Sequence, residues 1–370
     1  MPPRRALDLL RGLEGGGIYG MLWAFFEGGR VLSARLRGLV QRADLVNMSN
    51  RVKALVGDEL SRVEAEMAEH LHSPFSPVAE MGAYLAASRG KRLRPSILLL
   101  CGKTIGYEGS LDVTYAAIFE FIHTATLIHD DIVDQALLRR GRASLSSRWG
   151  QEQAVLMGDR VFVMAMDLAI KQGWSSLLPL ISETTLRLIE GELIQSHRKW
   201  DLALRREDNL EIIRKKTAYL FSACAATSAH LMEAPEPTRK ALEDYGLNLG
   251  IAFQMVDDCL DFVSNEETLG KPAGNDLKEG KITLPLLLLL QHGTPEDKAF
   301  IEAVVASHRF DPDTLHEVTE RVKRAGALDE ALEIAGAFAA AARDAIRPLP
   351  DNAAHDLLDV MPDYILHRRF

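Results

Sequence analysis

Residues 111–134 read LDVTYAAIFEFIHTATLIHDDIVD. The stretch is mostly apolar, holds no glycine or proline, and is too long for a strand. It reads as one long helix that ends in acids. Residues four apart on a helix share a face, so Asp130 and Asp134 project together. A second stretch repeats the design: Ile251 to Val256 is apolar and runs into Asp257-Asp258-Cys259-Leu260-Asp261. Both pentapeptides have the form D-D-x-x-D.

Working outward, the helical period persists. Val52, Leu55, Val56, Leu60, Val63 and Met67 recur at three- and four-residue steps, and Ser73-Pro74 and Ser76-Pro77 interrupt them. Further helical runs cover Val78–Ser88, Ser96–Gly102, Gln151–Ile170, Ser176–Leu204, Leu210–Met232, Thr238–Phe262 and Leu284–His292, with more toward the C-terminus. Gly141 and Gly150 bracket a loop. Neither hairpin dipeptides nor a glycine-rich strand-turn-helix element is evident. The expected fold is all-α, one helical domain spanning residues 48–370.

The chain has 370 residues, 47% hydrophobic and 26% charged, the balance of a globular protein with a sizeable core. Aromatics are only 6%. The net charge of -9 argues against general nucleic-acid binding. Cys101, Cys224 and Cys259 lie far apart, with no metal-ligand spacing, and read as reduced buried thiols of a cytoplasmic protein. No run reaches the roughly 18 consecutive apolar residues of a membrane span. Residues 1–47 form a glycine- and arginine-rich extension with little periodicity, expected to lack packed structure. Met48-Ser49-Asn50 has the look of a start just before the helical pattern. Trp23, Phe25 and Phe26 within this basic segment suit peripheral contact with a membrane surface.

A single D-D-x-x-D is most often a solvated helix end. Two copies at the ends of apolar helices are different, because unpaired acids there are costly. Hard carboxylate oxygens suit Mg²⁺, which shares its coordination shell with substrate phosphates. Two facing clusters can hold several such ions around one diphosphate. Cations supply the other half: Lys91, Arg92 and Arg94; Arg139 and Arg140; Lys215 and Lys216; Lys271, Lys278 and Lys281. Arginine forks match phosphate oxygens, and lysine offers a point charge. Arg92, Lys215 and Lys278 read as solvated surface cations. His123 lies two turns before Asp130 on the same stripe, which favours a ligand-binding role. His129 points elsewhere and reads as structural.

These stretches jointly resemble the trans-isoprenyl diphosphate synthase family, in its long-chain polyprenyl branch. The matching segments are GKRLRP (90–95), HTATLIHDDIVD (123–134), RRG (139–141), GELIQ (191–195), KTA (216–218), FQMVDDCLDF (253–262) and GKPAGNDLKEGKITLP (270–285). They stand in family order, and the resemblance implies one large all-α helical bundle around a central cavity. Arg142-Ala143-Ser144 departs from the Lys-Pro-Thr often found after RRG. The resemblance implies three Mg²⁺ ions, two on Asp130 and Asp134 and the third on Asp257, with Asp131, Asp258 and Asp261 in support. It implies that Lys91, Arg94, His123 and Arg140 hold the diphosphate of isopentenyl diphosphate. Arg139, Lys216, Thr217, Gln254, Lys271 and Lys281 would hold the allylic diphosphate. A homodimer is the implied assembly.

In that family the positions four and five before the first motif form a floor that stops chain growth when aromatic. Here they are Thr126 and Ala125, both small, and Phe119 lies about three turns deeper on the Asp130 face. The expectation is a long all-trans product of quinone-tail length, with geranylgeranyl or farnesyl diphosphate as shorter alternatives. Two other readings are a class I terpene cyclase, which normally lacks the second D-D-x-x-D, and a noncatalytic regulatory subunit, which should have lost site residues.

Overall fold

The computed structural model describes residues 42–88, 90–263 and 274–367. The extension read over 1–47 lies, up to residue 41, outside the described residues, as does Lys271. Residues Val52–Phe370 form one compact unit. The helices are α1 (Arg42–Leu71), α2 (Ser76–Ala86), α3 (Leu93–Thr104), α4 (Leu111–Val133), α5 (Leu145–Trp149), α6 (Gln151–Lys171), α7 (Leu177–His197) and α8 (Arg206–Ile213). A π-turn over Arg214–Ala218 leads into α9 (Tyr219–Leu231). There follow α10 (Glu236–Leu260), α11 (Asn275–Lys278), α12 (Leu284–His292), α13 (Pro295–Ser307), α14 (Pro312–Arg324), α15 (Ala327–Ile346) and α16 (Ala353–His367). The all-α expectation holds.

The core is set by helices that are apolar all round. In α4, every residue from Tyr115 to Ile122 is buried, and in α9 every residue from Ala223 to Ala229 is. Helix α3 is buried from Pro95 to Gly102 and packs on both. Helix α10 packs between α9 and α15, and α6 covers α4. By length and apolarity α4 could cross a bilayer, but most of it is buried inside the fold, as in a core helix. The two acidic motifs thus sit at the ends of two helices that the core holds in place.

The segment after Asp134 differs from the loop expected between Gly141 and Gly150. Leu138–Arg139 pairs antiparallel with Arg142–Ala143 in a two-residue hairpin, and α5 fills most of the remainder. Arg140 (φ 51°) and Gly141 (φ 74°) both take positive φ, the backbone of a type I′ turn. Arginine is a poor residue for that first position, so the turn left no recognisable dipeptide. Ser144 Oγ accepts from Ser147 N at 3.1 Å and caps α5, while Arg142 stacks on Tyr84 at 4.1 Å. The residues that replace Lys-Pro-Thr therefore each make a local contact.

Candidate active site

Asp130 and Asp134 emerge one turn apart at the end of α4. Asp130 Oδ2 lies 3.8 Å from Lys216 Nζ. Asp134 receives Lys281 Nζ at 2.9 Å and Lys199 Nζ at 3.5 Å. Asp131 turns differently. Both its oxygens accept from Arg139 Nε at 2.8 Å, so it anchors the hairpin. At the end of α10, Asp258 Oδ1 accepts from Gln254 Nε2 at 2.8 Å, and Asp261 Oδ2 accepts from Asp276 N at 3.1 Å. Asp257 stands beside them in the wall of the same cavity.

That cavity, of about 410 Å³, takes both clusters. Its wall carries Asp130, Asp131, Asp134, Asp257, Asp258, Asp261, Asp276 and Glu279 against Arg139, Arg198, Lys216 and Lys281. Carboxylates outnumber cations two to one, so the space attracts positive charge. The carboxyls show the strain. Burial pushes Asp130 up to about 6, with Glu192 and Asp134 adding to it and Lys216 opposing. Burial and the neighbouring Asp276 push Asp258 and Asp261 well above the carboxylate range. Burial also acts on Asp134, but Lys281, Lys216 and Lys199 overcome it and hold this group low. Burial disfavours the charge on Lys281, yet Asp276, Glu279 and Asp134 outweigh it and raise its pKa. Crowded carboxylate oxygens whose charges repel in a buried cavity are relieved by a divalent cation, so this donor set fits Mg²⁺.

Lys216 is positioned by the π-turn. Such turns occur mostly at functional sites, because they re-aim a side chain within a helix. Gly191 on α7 makes room: a Cβ there would lie 2.7 Å from Lys216 N and 2.8 Å from Lys215 Cβ. One turn on, Gln195 Oε1 accepts from Lys216 Nζ at 2.8 Å, and Glu192 pairs with the same ammonium. Thr217 Oγ1 donates to Gln254 Oε1 at 2.8 Å, joining the turn to α10. The role of GELIQ was not evident in the sequence beyond its place in the pattern. The signal was there, since Gly191 and Gln195 are four apart.

A second cationic group gathers on the other side of Arg139. Arg140 faces Gly90, where a Cβ would lie 2.9 Å from its Nη1. The Arg94 guanidinium sits 4.6 Å over the Phe221 ring, with its Nε buried and without a hydrogen-bond partner among the described residues. Burial and the charges of Arg94, Arg140, Arg139 and Arg92 hold His123 well below the usual histidine value, so its ring is neutral near pH 7. Lys91 is exposed beside Gly90.

Some placements correct the sequence reading. Arg92 is not a solvated cation: its side chain is 11% exposed and bonds Glu64 Oε1 at 2.5 Å and Glu120 Oε1 at 2.6 Å. Lys215 is likewise engaged, with Glu190 at 2.6 Å, whereas Lys278 is exposed as expected. Apolar helix periodicity shows which face a cation occupies, not which acid another helix brings to it. His129 lies 3.3 Å from Asp159 on α6, a structural contact. Leu127, rather than Thr126, lies in the cavity wall. Thr126 Oγ1 donates to His123 O at 2.8 Å, while Ala125 and Phe119 are buried in α4. Asp276, Glu279, Glu192, Gln195 and Lys199 are site residues that the sequence reading left without a role. Asp351, His355 and Asp356 bring potential ligand atoms within 4.8 Å of one another, but outside the cavity, and two of the three are exposed.

The chain matches the polyprenyl synthetase family over residues 76–322. It is 37% identical to the octaprenyl diphosphate synthase of Escherichia coli (strain K12) over 312 residues, 83% of this chain and 95% of that one. It is 33% identical to the all-trans-nonaprenyl-diphosphate synthase of Rhodobacter capsulatus, over 85% of this chain and 96% of that one. Among solved structures it resembles a polyprenyl synthase from Caulobacter crescentus complexed with calcium and isoprenyl diphosphate. That comparison gives a TM-score of 0.84 and 35% identity over 87% of this chain and 98% of that one. The chain belongs to the polyprenyl synthetase family. Its activity is that of a long-chain trans-prenyltransferase, an enzyme of a metal-dependent family that uses isopentenyl diphosphate and an allylic diphosphate.

Proposed function

We propose that the cavity binds an allylic diphosphate with three Mg²⁺ ions and extends it, one isopentenyl unit at a time, to an all-trans chain of quinone-tail length. The observation that carries this is that Asp130 and Asp134 line one cavity with Asp257 and Asp261, and that Lys281, from the loop after the second motif, bonds Asp134. Asp130, Asp134 and Asp257 hold the metal, and Asp258 and Asp261 support it. Bound Mg²⁺ supplies electrostatic neutralisation of the departing pyrophosphate. Lys216, Lys281 and Arg139 hold the allylic diphosphate, with Thr217 and Gln254 orienting it and Lys271 assigned by resemblance. Lys91, Arg94, Arg140 and His123 hold isopentenyl diphosphate, so that its double bond lies within reach of the allylic carbon. The apolar helices around the site keep water from the allylic cation. The allylic carbon–oxygen bond breaks first, the double bond of isopentenyl diphosphate then attacks the allylic cation, and released pyrophosphate takes the proton that is lost. Ala125, small and buried in α4, leaves room for the growing chain, and Phe119 is the lower stop.

We read the enzyme as a cytoplasmic homodimer. Exposed Leu156, Val163 and Ile170 recur every seven residues on α6, beside exposed Leu186, Ile189 and Leu193 on α7. Such an apolar stripe suits an isologous helix–helix interface. Chromatographic sizing of the product from allylic primer and isopentenyl diphosphate tests the reading. A farnesyl product alone refutes the long-chain assignment, and failure to release pyrophosphate in the presence of Mg²⁺ refutes the site.

A further inference from the structure

Between α7 and α8 the chain makes a tight turn, Arg198-Lys199-Trp200-Asp201, whose first residue lines the cavity. None of its residues belongs to the motifs that carried the sequence reading. The turn is nonetheless built with care. Arg198 bonds Asp201 at 2.6 Å and Asp208 at 3.3 Å, tying it to the start of α8. Trp200 N donates to Gly280 O at 2.8 Å, tying it to the loop that carries Lys281. The Trp200 ring meets His308 edge-on at 5.0 Å. Trp200 itself has φ 58°, a strained conformation for a bulky residue, which persists only where the surroundings enforce it. Gly280, at φ 89°, lets the two segments touch: a Cβ there would lie 2.9 Å from Trp200 Cε2 and 3.0 Å from Lys199 Cβ.

The result of these constraints is the position of Lys199. Its side chain is only 20% exposed, and its Nζ lies 3.5 Å from Asp134 Oδ1. Asp134 already holds Lys281 at 2.9 Å on its other oxygen. Lys281 is further held by Glu279 at 2.5 Å. Lys281 thus has two carboxylate partners at short range, whereas Lys199 reaches Asp134 at the longer distance. Lys199 is therefore the more loosely held of the two lysines, and its flexible four-carbon stem can redirect its ammonium.

We propose that Lys199 is a further diphosphate-binding residue. Its ammonium rests on Asp134 in the free enzyme and moves to an oxygen of the allylic diphosphate when substrate is bound. The strained turn and Gly280 position it for that exchange. This inference rests on the prenyltransferase reading of the cavity.

Calorimetric binding of inorganic pyrophosphate to the full chain, with saturating Mg²⁺, tests it. Lys199→Met should weaken binding about 10-fold, the loss of one charge-assisted contact, and Lys199→Arg should recover most of it. In steady state, Lys199→Met should raise KM for the allylic diphosphate and leave KM for isopentenyl diphosphate unchanged. Gly280→Ala should weaken pyrophosphate to a similar extent, and the double variant should bind no worse than either alone. Unchanged pyrophosphate affinity in Lys199→Met, with only the metal-free protein less stable, would show that the lysine merely neutralises Asp134 and would overturn the proposal. Asp130→Ala separates this from the underlying reading. If that variant loses Mg²⁺-dependent pyrophosphate binding while Lys199→Met keeps it, only the Lys199 role fails. If Asp130→Ala binds pyrophosphate as wild type does, the site assignment itself fails.

Discussion

Lys281 Nζ lies 2.9 Å from Asp134 Oδ2, so the loop after the second acidic motif is tied directly to the end of the first. The Lys281 side chain is 15% exposed and that of Asp134 12%. Removing one partner of a half-dry pair leaves the other charge uncompensated. Lys281→Met should destabilise the metal-free protein by about 3 kcal/mol. Mg²⁺ should restore part of that loss by taking over the neutralisation of Asp134. Turnover should fall about 100-fold, since a cation on the leaving group is lost. Thermal unfolding with and without Mg²⁺ checks this; the same destabilisation in both conditions would contradict it.

Asp130→Ala and Asp257→Ala should each lower turnover by orders of magnitude, because each removes a hard ligand from the cavity. Neither side chain contributes apolar packing, so helical content by circular dichroism should stay at the wild-type level. Turnover near wild type in either purified variant would remove that residue from the metal site.

The raised carboxyl of Asp130 gives a pH signature. A carboxyl raised in the fold contributes stability that is fully present below its unfolded value near ~3.9 and lost as pH rises through the folded value. For Asp130 that folded value is about 6. Mg²⁺ competes with the bound proton. The rise in Tm on adding Mg²⁺ should therefore grow between pH 5 and pH 7.5, and Asp130→Asn should flatten that growth. Asp134, held low, has the opposite sense: its contribution is present above its unfolded value and is lost as pH falls through the folded one. A wild-type Mg²⁺ shift that is the same at both pH values would count against the carboxylate site.

Gly191→Ala should disturb the π-turn from the neighbouring helix. The added methyl meets backbone, Lys216 N at 2.7 Å, which cannot step aside as a flexible side chain would. The expected cost is about 1–3 kcal/mol of stability. KM for the allylic diphosphate should rise with it, because Lys216 and Thr217 shift together. A variant with wild-type Tm and KM would mean that α7 retreats freely.

Ala125→Tyr should shorten the product while primary condensation continues. Ala125 is 2% exposed within α4, five residues before Asp130, and is not itself a metal or phosphate ligand in this reading. Product sizing by chromatography reads the outcome. An unchanged product length would place the growing chain elsewhere than along α4.

Much of this enzyme was legible as sequence. The apolar period of α4 and α10 and the D-D-x-x-D ends are local features. Four-residue spacing on a helix is enough to aim Asp130 with Asp134 and Asp257 with Asp261. The pairings between helices were not legible, because they depend on which surfaces the core brings together. Asp131 follows Asp130 in the chain yet serves the hairpin through Arg139. Arg92, two residues from Arg94, is spent on Glu64 and Glu120. The hairpin at Arg140-Gly141 and the π-turn at Arg214–Ala218 are backbone forms that local propensity disfavours and tertiary contacts enforce. Sequence by itself determined the helices and the two sets of charges, because both follow from side-chain type and period. Only the tertiary structure decided which cation meets which acid, because Lys281 and Asp134 are 147 residues apart and the elements that carry them must pack before the two charges can meet.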